Sequence, residues 1–182
     1  MAIGRTAGST KAISFKEAKE IFVAHHDLDE GTNRYALDSL IAANEEADGY
    51  WARRDLEYDE IMGIVLPPHA HRSSSGRRVK PLVHRPGIVL ADILQALSDD
   101  PKPYRARNIC AKALRIASED LRPIFLCRWP INISDHQGLE SFSGEHLYHL
   151  DGLHRLIGRG MMDLYSQSYL SEFPVQAFIA GE

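Results

Sequence analysis

Between His149 and Ile157 the chain reads His-Leu-Asp-Gly-Leu-His-Arg-Leu-Ile. Five consecutive residues, Asp151 to Arg155, bring together a carboxylate, a glycine, an imidazole and a guanidinium. Asp151 can accept a proton. His154 can relay one near neutral pH or hold a phosphate oxygen. Arg155 carries a planar fork of donors that matches a phosphate. Gly152 frees the backbone at a turn. Each residue also has a plainer use. Asp151 is a favoured helix cap, His154 can be a satisfied structural histidine, and Arg155 a surface salt bridge. Occurring together, they favour a phosphate site with an acid/base group beside it.

The flanking pattern says which elements must position these residues. Arg122 to Cys127 reads as an apolar strand, and Glu145 to Leu150 as a second. Leu156, Ile157, Met161 and Leu164 then recur at helical spacing. The motif therefore falls where a strand turns into a helix. The first amides of that helix, at Gly152, Leu153, His154 and Arg155, are unpaired and favour an anion. Arg155 is expected at the surface, so truncating it should weaken phosphate binding and spare the fold. His146 and His149 have opposite parity on their strand, so at most one shares the face of the motif.

Further elements follow along the chain. Residues 1–12 read as a loose tail. Ser14-Phe15-Lys16-Glu17 is a capping box opening a short helix with Phe15, Ala18, Ile21 and Phe22. His25 to Gly31 reads as a turn. Its His25, His26, Asp27 and Asp29 are expected to be solvated, because adjacent side chains do not converge on one metal ion. Asn33 to Ala47 is an amphipathic helix stopped by Gly49, and Ile61 to Leu66 a short strand closed by Pro67-Pro68. Residues 69–85 hold His69, His71, His84 and five basic residues and read as an exposed loop, solvated or closing over an anion. Val89 to Leu97 and Arg107 to Asp120 are helices, and Pro174 to Ile179 a last strand. Helices and strands interleave, so the fold class is α/β (α+β).

Composition sets outer bounds. Of 182 residues, 44% are apolar and 25% charged, ordinary for a globular chain with a full core. The net charge of −4 makes nucleic acid an unlikely main partner, since binding domains carry a basic excess or a basic face. Cys110 and Cys127 give no disulfide framework and are expected as buried free thiols in a reducing compartment. No apolar run approaches the roughly 20 residues of a membrane span. Met1 to Lys11 lacks the apolar core of a signal peptide, so the expected location is cytoplasmic.

Three stretches together carry a family resemblance: Pro123-Ile124-Phe125-Leu126, Tyr148 to Leu156, and Phe173 to Ile179. They cover about a third of the chain. The segment from Arg122 to Ala180 resembles the core of the ParB/sulfiredoxin-like fold, and its D-G-x-H-R form is most similar to the free-serine kinases of that superfamily. The resemblance implies a mixed sheet with packed helices over residues 57–182. Residues 1–56 would then form an N-terminal helical extension, either a subdomain or a homodimer contact. It also implies ADP or ATP bound at Gly152, Leu153, His154 and Arg155, with Mg2+ and a small hydroxylated substrate such as serine. Asp151 and His154 would be catalytic, with Asp151 also the metal ligand. Kinases of this fold use a glutamate early in the domain, because a serine hydroxyl needs a proton acceptor. Among Glu45, Glu46, Glu57, Glu60, Asp92, Asp99 and Asp100, Glu60 is taken as the candidate, at the start of its strand. Neither cysteine lies in the motif, so sulfiredoxin-type thiol chemistry is not expected. The expected function is thus a nucleotide-dependent phosphotransferase. The alternatives are a ParB-like nucleotide-binding regulator, associated with a partner such as DNA, and an interaction protein that keeps the fold without the chemistry.

Overall fold

The structure, a computed structural model, describes residues 9–67, 86–99, 113, 115, 122–139, 145–166, 170 and 174–182. Its elements run β1 (Lys11–Ile13), α1 (Phe15–His25), α2 (Gly31–Glu46), β2 (Trp51–Asp55), α3 (Tyr58–Met62), β3 (Val65–Leu66), β4 (Ile88–Val89), α4 (Leu90–Asp99), β5 (Ile124–Cys127), β6 (Tyr148–Asp151), α5 (Leu153–Ser166) and β7 (Gln176–Ala180). The strands form one mixed sheet in the order β1-β2-β7-β5-β6-β3-β4. This is the α/β fold class that the pattern of elements indicates.

Two apolar layers sandwich the sheet. On one face α1 and α2 pack Phe22, Leu40 and Ala43 onto Trp51, Phe125, Tyr148 and Phe178. On the other, α3, α4 and α5 pack Ile61, Ile93, Leu94, Leu156 and Ile157 onto Ile124, Leu126 and Ile179. α1 begins where Ser14 Oγ accepts the Glu17 amide at 3.2 Å. Phe22 is fully buried and meets Phe125 edge-on at 5.6 Å, so α1 is clamped to the centre of the sheet. Gly160 has Leu94 side-chain carbons within 3 Å of where its own Cβ would stand, which lets α4 and α5 approach closely.

Several expectations need correction. Lys11 and Ala12 belong to β1, which pairs with β2, and are no loose tail. β2 itself has no counterpart in the sequence reading, because Arg53, Arg54 and Asp55 hide its alternation behind charge. The apolar run from Ile61 is mostly helix and turn, and only Val65–Leu66 is strand. The boundary at 56/57 is crossed by the sheet. β2 pairs with β7 over five residues, so the N-terminal segment supplies two strands and is not purely helical. The basic loop 69–85 and most of the helix at 107–120, with Cys110, lie outside the described residues. Cys127 is the expected buried free thiol, and burial pushes its ionisation well above the ordinary range. Among the described residues no helix is long and apolar enough to cross a membrane.

Phe22→Ala is expected to cost about 3–5 kcal/mol, the range for emptying a buried aromatic site. Chemical denaturation of the variant and the parent measures it.

Candidate functional site

The motif is aimed by an irregularity in β6. Leu126 pairs with His149 and Phe125 pairs with Asp151, so Leu150 is an extra residue in the ladder. Such a bulge turns two successive side chains toward the same face. Leu150 joins Phe125 in the core beneath α1 and α2, and Asp151 reaches His26 at the end of α1. Without the extra residue, simple alternation would place Asp151 on the face of His149.

Gly152 makes the turn that follows. Its φ is +104°, and a Cβ there would stand 2.6 Å from Ile124 Cγ2. Its carbonyl accepts the Leu156 amide at 3.0 Å and starts α5. Asp151 to Arg155 are therefore the strand-to-helix turn, as the periodicity indicates. Leu153 is buried in the core against α4, so only its backbone can serve a ligand. His154 is half-buried on the first turn of α5.

Arg155 departs from expectation. Its side chain is 6% exposed and donates to Asp151 Oδ2 at 2.6 Å. It is thus a buried ion pair across one helical turn, and not a surface group. Removing one partner of such a pair strands the other charge, so Arg155→Ala costs stability as well as any binding. His26 Nε2 lies 3.5 Å from the same carboxylate oxygen. The other nitrogen of that ring, Nδ1, is 2.8 Å from the Phe22 carbonyl, and the ring stacks on Phe22 at 4.0 Å. Arg122 donates to the His25 carbonyl at 2.8 Å. Arg122 and His26 thereby occupy the carbonyl end of α1, where cations are favoured.

Beside them is a shallow cleft, open to solvent, lined by Ile21, His25, His26, Arg122, Pro123, Phe125 and Arg155. Four of the seven are basic. The depression encloses no space the size of a water molecule, so any group bound there lies on the surface. His26 is not the solvated turn residue expected but is largely buried against Phe22 and Asp151, and Arg122 was given no role, since nothing in their spacing ties residues 26 and 122 to residue 151. A family model matches residues 9–182 and is described only as a family of unknown function, DUF6309. The chain belongs to that family. No curated protein and no solved structure matches this DUF6309 chain.

Glu60 is elsewhere. It lies in α3, and its carboxylate takes both terminal nitrogens of Arg54 at 2.7 Å while also accepting the Glu57 amide. Arg54 pairs across the sheet with Ala177, which pairs with Ile124, so it points to the α3–α5 face. Asp151 points to the other face, and β7 and β5 stand between the two strands. Arg54 also donates to Glu182 at 2.5 Å, and Arg128 approaches that residue at 3.4 Å. The Arg54 guanidinium holds the Glu60 carboxyl below its ordinary value of about 4.5. Asp151 is already engaged by two basic side chains. Its Oδ2 already faces Arg155 and His26, and the adjoining cleft is cationic. Among the described residues no group of three or more His, Cys, Asp or Glu could hold a metal ion.

Two outcomes follow for this DUF6309 chain. Gly152→Ala is expected to destabilise the fold by about 1–3 kcal/mol, the cost of a strained backbone residue, before its contact with Ile124 is counted. Thermal melting tests that. A depressed carboxylate stabilises above its unfolded value and loses that contribution as pH falls through the folded value. The melting temperature should therefore drop below about pH 4.5, and Glu60→Gln should flatten part of that drop.

Proposed function

We propose that the cleft between the end of α1 and the start of α5 receives the phosphate of a nucleotide such as ADP or ATP. In this reading the protein is a phosphotransferase acting on a small hydroxylated molecule. The observation that carries it is the bulge that aims Asp151 at Arg155 and His26 beside a basic cleft. Arg155 and Arg122 supply forked donors for phosphate oxygens. The first amides of α5 add the positive end of a helix. Asp151, the carboxylate at this turn, accepts the hydroxyl proton, and His26 steadies it. His154 stands on the first turn of the same helix. The cleft is shallow, so the nucleotide lies along the surface with its phosphate against the basic side chains. The resemblance of D-G-L-H-R to the free-serine kinases of the ParB/sulfiredoxin-like fold supports the same reading. No step is assigned to magnesium or to Glu60.

A second reading is favoured by one observation, the engagement of Glu60 with Arg54 on the opposite face. Without an early glutamate near the phosphate, the protein binds a nucleotide and transmits its presence without turnover, as a regulator.

Calorimetric titration with ADP and ATP, followed by incubation with an amino-acid pool, separates the readings. Saturable binding with a phosphorylated product supports the enzyme, binding alone supports the regulator, and no binding sinks both. Asp151→Asn keeps size and an acceptor oxygen for Arg155 and should cut turnover by about 10²-fold, the scale of lost acid–base catalysis. Arg155→Lys should fold and weaken nucleotide binding by about 1–2 kcal/mol, since a charged bond is worth roughly 1.5–3 kcal/mol. Parent-like affinity in that variant would remove Arg155 from the site.

A further inference from the structure

His136 sits in the connection between β5 and β6 and is 2% exposed. Its Nε2 is 3.0 Å from the His149 carbonyl, and its Nδ1 accepts the Ile131 amide at 3.0 Å. The pairing fixes the tautomer: Nδ1 must offer a lone pair, so Nε2 carries the proton and donates. The reason a side chain is needed there lies in β3. Val65 pairs with Tyr148 in parallel and donates to the Leu147 carbonyl at 2.8 Å. The next amide on that edge would be residue 67, aimed at the His149 carbonyl. Residue 67 is proline and has no N–H. The His136 imidazole supplies the missing donor.

That carbonyl immediately precedes the bulged pair Leu150 and Asp151. The same connection is tied to α2, where Tyr35 Oη meets Ser134 Oγ at 2.8 Å and Glu46 accepts the Asn132 amide at 2.7 Å. We propose that neutral His136 is the positioning residue of the bulge and a pH-sensitive latch. Protonating Nδ1 sets its new N–H against the Ile131 amide; the ring turns from its seat to separate them, and in turning withdraws Nε2 from the His149 carbonyl and frees Asp151 from its aim.

The groups facing the ring are Asp135 of the same connection, Glu46 of α2, Tyr148 of β6 at 6.0 Å between centroids, and the His149 carbonyl; Cys127 of β5 pairs with Tyr148. Burial opposes the imidazolium most strongly, the bond to the His149 carbonyl and then the two carboxylates favour it, and the ring ionises below its ordinary value of 6.5. A histidine held neutral in this way contributes stability that is present above the unfolded value and lost as pH falls toward the folded one. The latch therefore opens on acidification below about pH 6.5.

The consequence for the cleft rests on the anion reading above, but the latch is testable with no ligand present. Nitrogen-15 NMR of the full chain at pH 7.5 should show His136 protonated at Nε2 only. On lowering the pH to 5, the amide signals of Ile131 and of Leu150 to Gly152 should shift with the midpoint of His136. His136→Gln keeps a donor for the His149 carbonyl and cannot titrate in this range, so those shifts should vanish. An Nδ1-protonated or charged ring at pH 7.5 in the parent overturns the proposal even if the variant does not fold. Signals at 150–152 that ignore the midpoint of His136, or that still shift in a folded His136→Gln variant, overturn it too. If the latch is seen and phosphate titration shows no binding, the anion reading fails and the latch stands.

Discussion

A strand sends alternate side chains to opposite faces, and a glycine-led turn follows at the end of β6. Under strict alternation Asp151 would share a face with His149 and lie far from α1. The extra residue at Leu150 turns it over. Three elements depend on the result. β6 presents the carboxylate, α5 returns Arg155 to it after one turn, and α1 brings His26 from the other layer. A carboxylate only 19% exposed needs compensation, and the guanidinium supplies it at 2.6 Å. The geometry is demanding because Gly152 is wedged against Ile124. Neither neighbour of the turn can move without disturbing β5, which runs through the middle of the sheet.

The clamp on α1 completes the arrangement. Phe22 stacks against His26 and meets Phe125 edge-on, so apolar packing and the polar contact share one anchor. The cationic groups at the carbonyl end of α1 offset the partial negative charge of that helix end. The same groups line the cleft, so its positive character is partly a by-product of capping. On the function proposed above, an anion would meet side chains whose positions are already set by helix ends and core packing, which lowers the ordering cost of binding.

A second charged centre explains how β2 enters the sheet. Arg54 is 10% exposed, a costly placement for a cation. Glu60 from α3 and Glu182 from beyond β7 surround it, and the forked geometry satisfies its donors. This network ties β2, α3 and the end of β7 into one body. It also commits Glu60 to structure, which is why proximity in sequence to an apolar run was a poor guide to its role.

The sequence alone determined the α/β class, the helices around Phe22, Leu40 and Ile93, the strands at 124 and 148, and the turn at Gly152. All of these rest on periodicity and local backbone chemistry, which neighbours within a few residues set. It also singled out Asp151 and Arg155, as members of one five-residue cluster of chemically active types, but not their pairing with each other. It could not show β1 or β2: β2 exists through its pairing with β7 and the ion pairs of Arg54, and β1 through its pairing with β2. Nor could it show the bulge at Leu150, since register is a property of two strands and not of one. His26, Arg122 and His136 join the region through contacts spanning about a hundred residues or through a carbonyl left open by Pro67. Tertiary structure decided those, because the partner of a buried polar group is whichever group the packed chain brings within hydrogen-bonding distance.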